Sequence, residues 1–400
     1  MKFVTLFCLY IAQSVPMSFF TTVVPVIMRQ ENYPLELIGM VQLIKLPWVI
    51  KFLWAPLVDK AGGSPRNYMK IIFRAELFYA VVVLAIGFLN LQTNLLPVLL
   101  MMFIAVAASA TQDIATDAFA ILVLSRDERG MGNSMQSAGG FLGALLGSGV
   151  LLIIFHYLGW RPLLAGLSLF VVAALIPLLI YFYSYTEKYG YSPESRVGMT
   201  DLLHFFRRKG VTKRIVLLLM YYGGVVGIMA MMKPWLIDLG LTIKQIGVIS
   251  GLYGTAAGAL FAFVAGVIIR RFGRSWSVKA FAIANSLTAL SFYILSLVGV
   301  TTTGIYILVA LIWSSYSMST VIIYTISMDE VRQGREGTDF TLQIVITQLG
   351  SLIMAVASGA FAEKFSYEHL FMASFVLGVV NLIAVRYLYK EPPVSLRQTK

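Results

Sequence analysis

The chain has 400 residues, 58% of them hydrophobic and only 12% charged, with a mean hydropathy of +0.81. That composition leaves too few charges to coat a water-soluble surface and places the chain among integral membrane proteins. A lone cysteine, Cys8, excludes a disulfide or thiolate cluster, and His156, His204 and His369 lie too far apart for a catalytic or metal set.

An α-helix needs about 20 apolar residues to cross the hydrocarbon layer. Twelve runs of that size follow one another near 4–28, 36–58, 69–90, 95–120, 133–156 and 161–183, then 213–237, 243–269, 278–298, 303–327, 339–362 and 367–388. The first is not a secretory signal, because its apolar character continues past Val23, Val24, Val26 and Ile27 with no short core ending at a cleavage site. Alternating segments of about ten residues, the mark of a strand barrel, are not seen. The expected fold is therefore all-α, with twelve transmembrane helices. The polar stretch 184–212 divides them into an N-terminal six-helix bundle (1–183) and a C-terminal one (213–400) with a short cytoplasmic tail. Within that linker, Leu202, Leu203, Phe205 and Phe206 beside Arg207, Arg208 and Lys209 suit either a surface amphipathic helix or a plain basic anchor.

The net charge of +12 is distributed by side rather than clustered for nucleic acid. With loops assigned alternately, one side holds Lys2, Lys60, Arg66, Arg126, Arg129, Lys188, Arg196, Arg207, Arg270, Arg271, Arg274, Arg332, Arg397 and Lys400 among others. The opposite side holds only Arg29, Arg161, Lys244 and Lys364. This asymmetry orients both termini to the cytoplasm in an inner membrane, with anionic lipid headgroups as the partner of the basic loops.

The halves echo each other. Pro25 with Ile38-Gly39-Met40-Val41 is answered by Pro234 with Ile246-Gly247-Val248-Ile249. Ala55-Pro-Leu-Val-Asp59-Lys60-Ala-Gly62 is answered by Gly266-Val-Ile-Ile-Arg270-Arg271-Phe-Gly273-Arg274, and Ser125-Arg-Asp-Glu-Arg129-Gly130 by Asp329-Glu-Val-Arg-Gln-Gly334-Arg-Glu-Gly337. On these residues the chain resembles the major facilitator superfamily, whose loop signature is Gly-x-x-x-Asp-Arg/Lys-x-Gly-Arg/Lys. The second copy departs by Arg270 in place of the acid, and the first by Ala55 and Gly63 at its two ends. Lys51-Phe-Leu-Trp-Ala-Pro-Leu-Val-Asp59, Ala110-Thr-Gln-Asp113-Ile-Ala-Thr-Asp117, Asp127-Glu-Arg129-Gly130 and Gly337-Thr-Asp339-Phe-Thr341 are similar to a narrower branch. That branch holds AmpG-type muropeptide permeases, acetyl-coenzyme A transporters and siderophore permeases of the RhtX/FptX type. Twelve spans and Gly337–Thr341 tilt the resemblance toward the siderophore side.

Charges inside the hydrocarbon zone cost roughly 2.5–3.5 kcal/mol each at a helix centre, so they need partners or water. Asp113 and Asp117, at i and i+4, share one face of the fourth run, and Lys51 reaches a similar depth in the second. These three either form a permanent structural cluster or a pair broken and remade in transport, with one carboxylate taking a proton. Lys45, near mid-bilayer, calls for a carboxylate or an anionic ligand group, whereas Lys233 can snorkel outward. Gln13, Lys45, Gln112, Tyr222, Tyr316 and Gln343 are candidate solute contacts, although such groups also join helices to one another. Gly139, Gly143 and Gly147 form overlapping small-xxx-small patterns suited to close helix packing.

Taken with the resemblance, the expected function is a secondary active transporter working by alternating access. It would need no cofactor, be driven by a proton gradient, and act as a monomer on a bulky polar or anionic small-molecule solute. Loops around Asp59, Lys60, Arg129, Arg270, Arg271 and Arg274 would gate its cytoplasmic face. A siderophore-type chelate is the first substrate reading and a muropeptide the second. A receptor reusing the fold is the reading from another class. No phosphate-cradling Gly-x-x-x-x-Gly-Lys-Ser/Thr loop occurs, which argues against an ATP-driven pump.

Overall fold

The computed structural model describes residues 1–186 and 197–391. The middle of the expected linker, with Lys188 and Arg196, and the end of the tail, with Arg397 and Lys400, lie outside the described residues.

The described residues form helices and no strand. Twelve long elements correspond to the twelve runs. The first six are α1 (Lys2–Gln30), α2 (Leu35–Leu53 continued by Ala55–Ala61), α3 (Pro65–Ile86), α4 (Leu95–Val123), α5 (Arg126–Leu158) and α6 (Trp160–Ser184). The other six are α7 (Val211–Asp238), α8 (Ile243–Phe272), α9 (Arg274–Val298), α10 (Thr302–Asp329), α11 (Glu336–Phe365) and α12 (Tyr367–Leu388). Ten of these are each long and apolar enough to cross a membrane, and the bent α2 makes eleven. The twelfth, α3, has 22 residues and is about 33 Å long at 1.5 Å per residue, but Arg66, Lys70, Arg74 and Glu76 dilute its first half. Its outer face is still oily: Leu77, Phe78, Val81 and Leu84 are exposed while Tyr79, Ala80, Val83 and Ile86 are buried. Large apolar side chains left bare along one face of nearly every helix suit lipid, not water.

Two helices are distorted where proline removes a backbone donor. In α1 the turn Phe19–Val23 is π-helical, and Pro25 has no N–H for the Thr21 carbonyl four residues back. Gln42 Nε2 of α2 donates to that oxygen at 3.2 Å instead. In α2, short α-helical and 3₁₀ turns alternate around Pro47, and the axis bends by 58° at Trp54 just before Pro56. Both lysines of this span stand on the tightened turns, Lys45 in Val41–Lys45 and Lys51 in Lys51–Leu53.

The chain forms two compact units, Met1–Leu203 with Glu330–Leu342, and His204–Asp329 with the chain from Gln343 onward. The division differs from a cut through 184–212 alone, because the segment leading into α11 and its first turns pack on the first unit. Within the first unit α3 packs along α4 and α6, and α1 along α5; within the second, α9 packs along α10 and α12. The α3 pairings thus recur six helices later, which is the structural form of the sequence echo.

The α1–α5 seam shows why α5 carries small residues. A Cβ added at Gly143 would stand 2.4 Å from Ser14 Cβ, and one at Gly147 only 2.3 Å from the Val15 carbonyl oxygen. Backbone cannot step aside as a side-chain tip can. Gly147→Ala should therefore destabilise the protein by about 1–3 kcal/mol through overpacking. Gly149→Ala, which meets nothing within 4 Å, should be neutral. Thermal unfolding of the two variants in detergent checks the contrast.

Candidate functional site

The charges on α2 and α4 meet inside the first unit. Asp113 and Asp117 are each 2% exposed and Lys51 is 1% exposed. The i, i+4 spacing turns both carboxylates to the face of α4 that receives α1, α2 and α5. Lys51 Nζ is bound to Asp113 Oδ2, as the matched depths of the two spans predict. Asp113 Oδ1 accepts from Gln13 Nε2 at 2.9 Å. Asp117 Oδ1 accepts from the Tyr10 hydroxyl at 2.6 Å and from Gln136 Nε2 at 3.2 Å. The Lys51 ammonium also lies 4.4 Å from the centroid of the Trp48 ring, a cation–π contact that adds to its compensation. Two acids and one lysine leave the cluster one negative charge in excess when both acids are ionised, a balance one proton would restore.

Next to this cluster is a cavity of about 450 Å³, lined by Gln13, Ser14, Thr21, Lys45 and Trp48 among others. The Ser14 and Thr21 hydroxyls donate to the Tyr10 and Met17 carbonyls of their own helix, at 2.7 and 2.9 Å. Gln13 Oε1 and Trp48 Nε1 are buried with no hydrogen-bond partner. Lys45 has no ion-pair partner among the described residues. One cation and two residues whose unsatisfied polar atoms lie buried beside it therefore line a space large enough for part of a solute. Gln112, the other candidate on α4, is fully buried and donates to Thr116 Oγ1 at 3.0 Å, one turn on.

In the second unit the Tyr222 and Tyr316 rings meet edge to face with centroids 5.9 Å apart. Gln343 accepts from Arg214 Nε at 2.8 Å and donates to the Ser327 carbonyl at 3.1 Å, so its amide is held at both ends.

The candidate gating residues separate into held and exposed groups. Asp59 accepts from the Gly337 and Thr338 backbone N–H groups at 2.9 and 2.7 Å, from Thr338 Oγ1 at 2.6 Å and from the Tyr68 hydroxyl at 2.7 Å. Its carboxylate sits at the N-terminus of α11, where unpaired N–H groups and the helix dipole favour negative charge. Gly337 is needed there, since a Cβ would lie 2.7 Å from Asp59 Oδ1. Arg274 binds Asp329 through Nε at 2.5 Å. Arg129 Nη2 reaches the Ile121 carbonyl at 3.4 Å, while Lys60, Arg270 and Arg271 are exposed.

Several groups escaped the sequence reading. Gln136 stands three residues before Gly139, on the stripe that faces α1, and that register was its only signal. Arg332 and Arg335 both reach Asp201 of the short helix Thr200–Phe206, at 3.5 and 2.5 Å, and Arg332 also grips Asp339 at 2.6 Å. Glu76 was visible as one acid in an apolar run. It is fully buried on α3 with neither carboxylate oxygen hydrogen-bonded, and the Tyr79 hydroxyl one turn away is likewise without a partner.

Long apolar helices in repeated sets, with two acids and a lysine buried together in the first unit, define the class as an integral membrane protein. The chain belongs to the major facilitator superfamily, which it matches over residues 3–343. It is 25% identical over 388 residues to the anhydromuropeptide permease of Escherichia coli (strain K12), an alignment covering 93% of this chain and 76% of that one. Among solved structures, it shares the fold of the transporter FucP in its outward conformation, with TM-score 0.73, 13% identity and coverage of 98% of this chain and 99% of that one. A bacterial homologue of the iron transporter ferroportin, outward-facing, superposes with TM-score 0.70 at 15% identity over 97% of this chain and 99% of that one.

Two outcomes follow from the geometry. Lys51→Met strands a buried carboxylate and should cost roughly 3–5 kcal/mol, whereas Lys51→Met combined with Asp113→Leu should recover most of it. Melting of the single and double variants in detergent measures both. The second concerns Asp201, whose carboxyl burial pushes up; the Arg335 and Gly198 N–H hydrogen bonds and the Arg335 and Arg332 charges outweigh that and hold it below its ordinary value. A depressed folded value means the contact is at full strength above the ordinary aspartate range and is lost as pH falls through the depressed one. Amide exchange at 198–206 should accordingly quicken only in acid, and Asp201→Asn should remove that dependence.

Proposed function

We propose that the protein is a proton-coupled alternating-access transporter of the inner membrane that imports a bulky polar, anionic solute of the muropeptide class. The observation that carries the coupling is the Lys51–Asp113–Asp117 cluster, whose two acids share one lysine. A proton on either acid balances the cluster, frees Lys51 from part of its attraction and changes which donors the neighbouring helices must supply. The similarity to the anhydromuropeptide permease, over almost the whole chain, supports the muropeptide reading over the siderophore-type chelate. That order reverses the tilt taken from Gly337–Thr341.

Lys45, Gln13 and Trp48 offer the charge and hydrogen bonds for a solute's polar groups. Asp59 at the start of α11 and the arginines that grip Asp201 and Asp339 act as gating contacts, made and broken as access alternates. The distribution of lysine and arginine supports a cytoplasmic side for both termini. A receptor of the same fold would bind solute without accumulating it.

Purified protein in proteoliposomes, supplied with labelled anhydromuropeptide or labelled ferric chelate, tests the proposal. An inward proton gradient should drive anhydromuropeptide accumulation well above equilibrium and leave the chelate outside. Asp113→Asn and Asp117→Asn should each reduce gradient-driven uptake by more than about tenfold, in the range typical of a lost acid–base group. At least one of them should retain exchange across a preloaded membrane. Undiminished driven uptake in both variants would remove the proton route.

A further inference from the structure

The cavity and the buried cluster share Gln13 and Trp48, and only the first of these bonds to an acid. Gln13 lines the cavity and, through Nε2, donates to Asp113 Oδ1 at 2.9 Å; its other end, Oε1, is buried with no hydrogen-bond partner. We propose that Gln13 is a relay whose carboxamide turns with the proton on Asp113 and thereby makes the cavity a site for an anionic oxygen group, a carboxylate or a phosphate, held between Lys45 and Trp48. This rests on the transport reading above and supplies its coupling step.

The reasoning follows from what each atom can donate or accept. An ionised carboxylate only accepts, so Gln13 must give it the NH₂ end, as observed. The two ends of a carboxamide cannot be chosen independently, so the carbonyl oxygen is then the end left over. That oxygen repels an incoming anion. Asp113 Oδ2 is occupied by the Lys51 ammonium, which has only donors, so an arriving proton goes to Oδ1, the oxygen that faces Gln13. Oδ1–H is now a donor, and an NH₂ group facing it is repelled. Half a turn of the amide about its last torsion, which is a broad one, restores a hydrogen bond: Oδ1–H donates to Gln13 Oε1. The NH₂ group is then released from Asp113. With the Lys45 ammonium and the unpartnered Trp48 N–H, it completes a set of three donors for one anionic group.

The step is balanced. One proton from the aqueous side forms one O–H bond at Asp113, the amide keeps its own hydrogens, and no other bond changes. Proton and anion favour one another's binding by the same factor, because linkage is reciprocal. The charged and titratable groups around Asp113 are Lys51 from α2, Asp117 on its own helix, and Tyr10 from α1, which acts through Asp117. The α5 helix contributes the neutral Gln136, which donates to Asp117, and α3, packed along α4, carries Glu76 and Tyr79, neither of them hydrogen-bonded to the acid pair.

The test is an infrared pH titration of the purified full-length protein in lipid nanodiscs, with acetate as the anion probe and chloride as the control at equal ionic strength. The Asp113 carboxyl band is assigned by its loss in Asp113→Asn, and the Gln13 amide band by its loss in Gln13→Met or, if that protein does not fold, in Gln13→Asn. The expected result is an amide band that shifts in step with the carboxyl band. Saturating acetate should raise the midpoint by about one pH unit, the equivalent of tenfold coupling and within the usual range. In Gln13→Met the acetate shift should fall below about 0.3 units, a twofold coupling, while Lys45→Gln should lose the acetate effect and keep the amide movement. An amide band that stays still while Asp113 titrates, an acetate shift unchanged in Gln13→Met, or an Asp113 that never takes a proton each overturns the relay. Amide movement without gradient-driven uptake in proteoliposomes would instead retire the transport reading and leave the relay standing.

Discussion

Ion pairing in a medium that cannot hydrate charge is the constraint on which the first unit is built. Asp113, Asp117 and Lys51 are together almost wholly removed from solvent. Each would be prohibitive alone, so three of the helices that pack on α4 supply compensating groups. Helix α1 brings Tyr10 and Gln13 one turn apart, α5 brings Gln136, and α2 brings Lys51 with Trp48 beneath it. Even the irregular backbone of α2 fits this demand, since a tightened turn followed by a bend places Lys51 against α4 while the chain turns back into Ala55–Ala61.

The same logic separates the cluster from a simple clamp. A purely structural pair is best served by equal and opposite charges. Here a second acid, four residues on, is satisfied by neutral donors instead of a second cation. Tyr10 and Gln136 hydrogen-bond to Asp117 without cancelling any charge it carries. The cavity with Lys45 is adjacent, so a charge change at Asp113 is felt at the site proposed for the solute.

The two copies of the loop signature have diverged into different physics. In the first, Asp59 keeps the acid and is spent on the N-terminus of α11, where Gly337 admits it and Tyr68 completes its shell. In the second, Arg270 stands where the acid would be and is exposed, while Arg274 carries the ion pair with Asp329. The departures at Ala55, Gly63 and Arg270 in the sequence are the imprint of that division, although nothing local to those residues names the partners Gly337, Thr338 and Asp329.

Membrane placement, the number of long helices, the repeat and the depth of Lys51, Asp113 and Asp117 were all readable along the chain, because each depends on periodicity, run length or spacing within one segment. The apolar runs were found within a few residues, α3 among them, although the helix begins at Pro65 and carries charges in its first turns. What folding alone decided are the partners that come from elsewhere in the chain. Gln13 and Tyr10 meet the acids across about a hundred residues, Asp59 meets Gly337 and Thr338 across nearly three hundred, and Arg332 and Arg335 draw Glu330–Leu342 into the first unit through Asp201. Hydrogen bonds are short-ranged and directional, so a polar residue in an apolar run announces that a partner exists without saying which helix carries it. That choice is made by packing, where glycines let α5 close on α1 and bring the donors within reach.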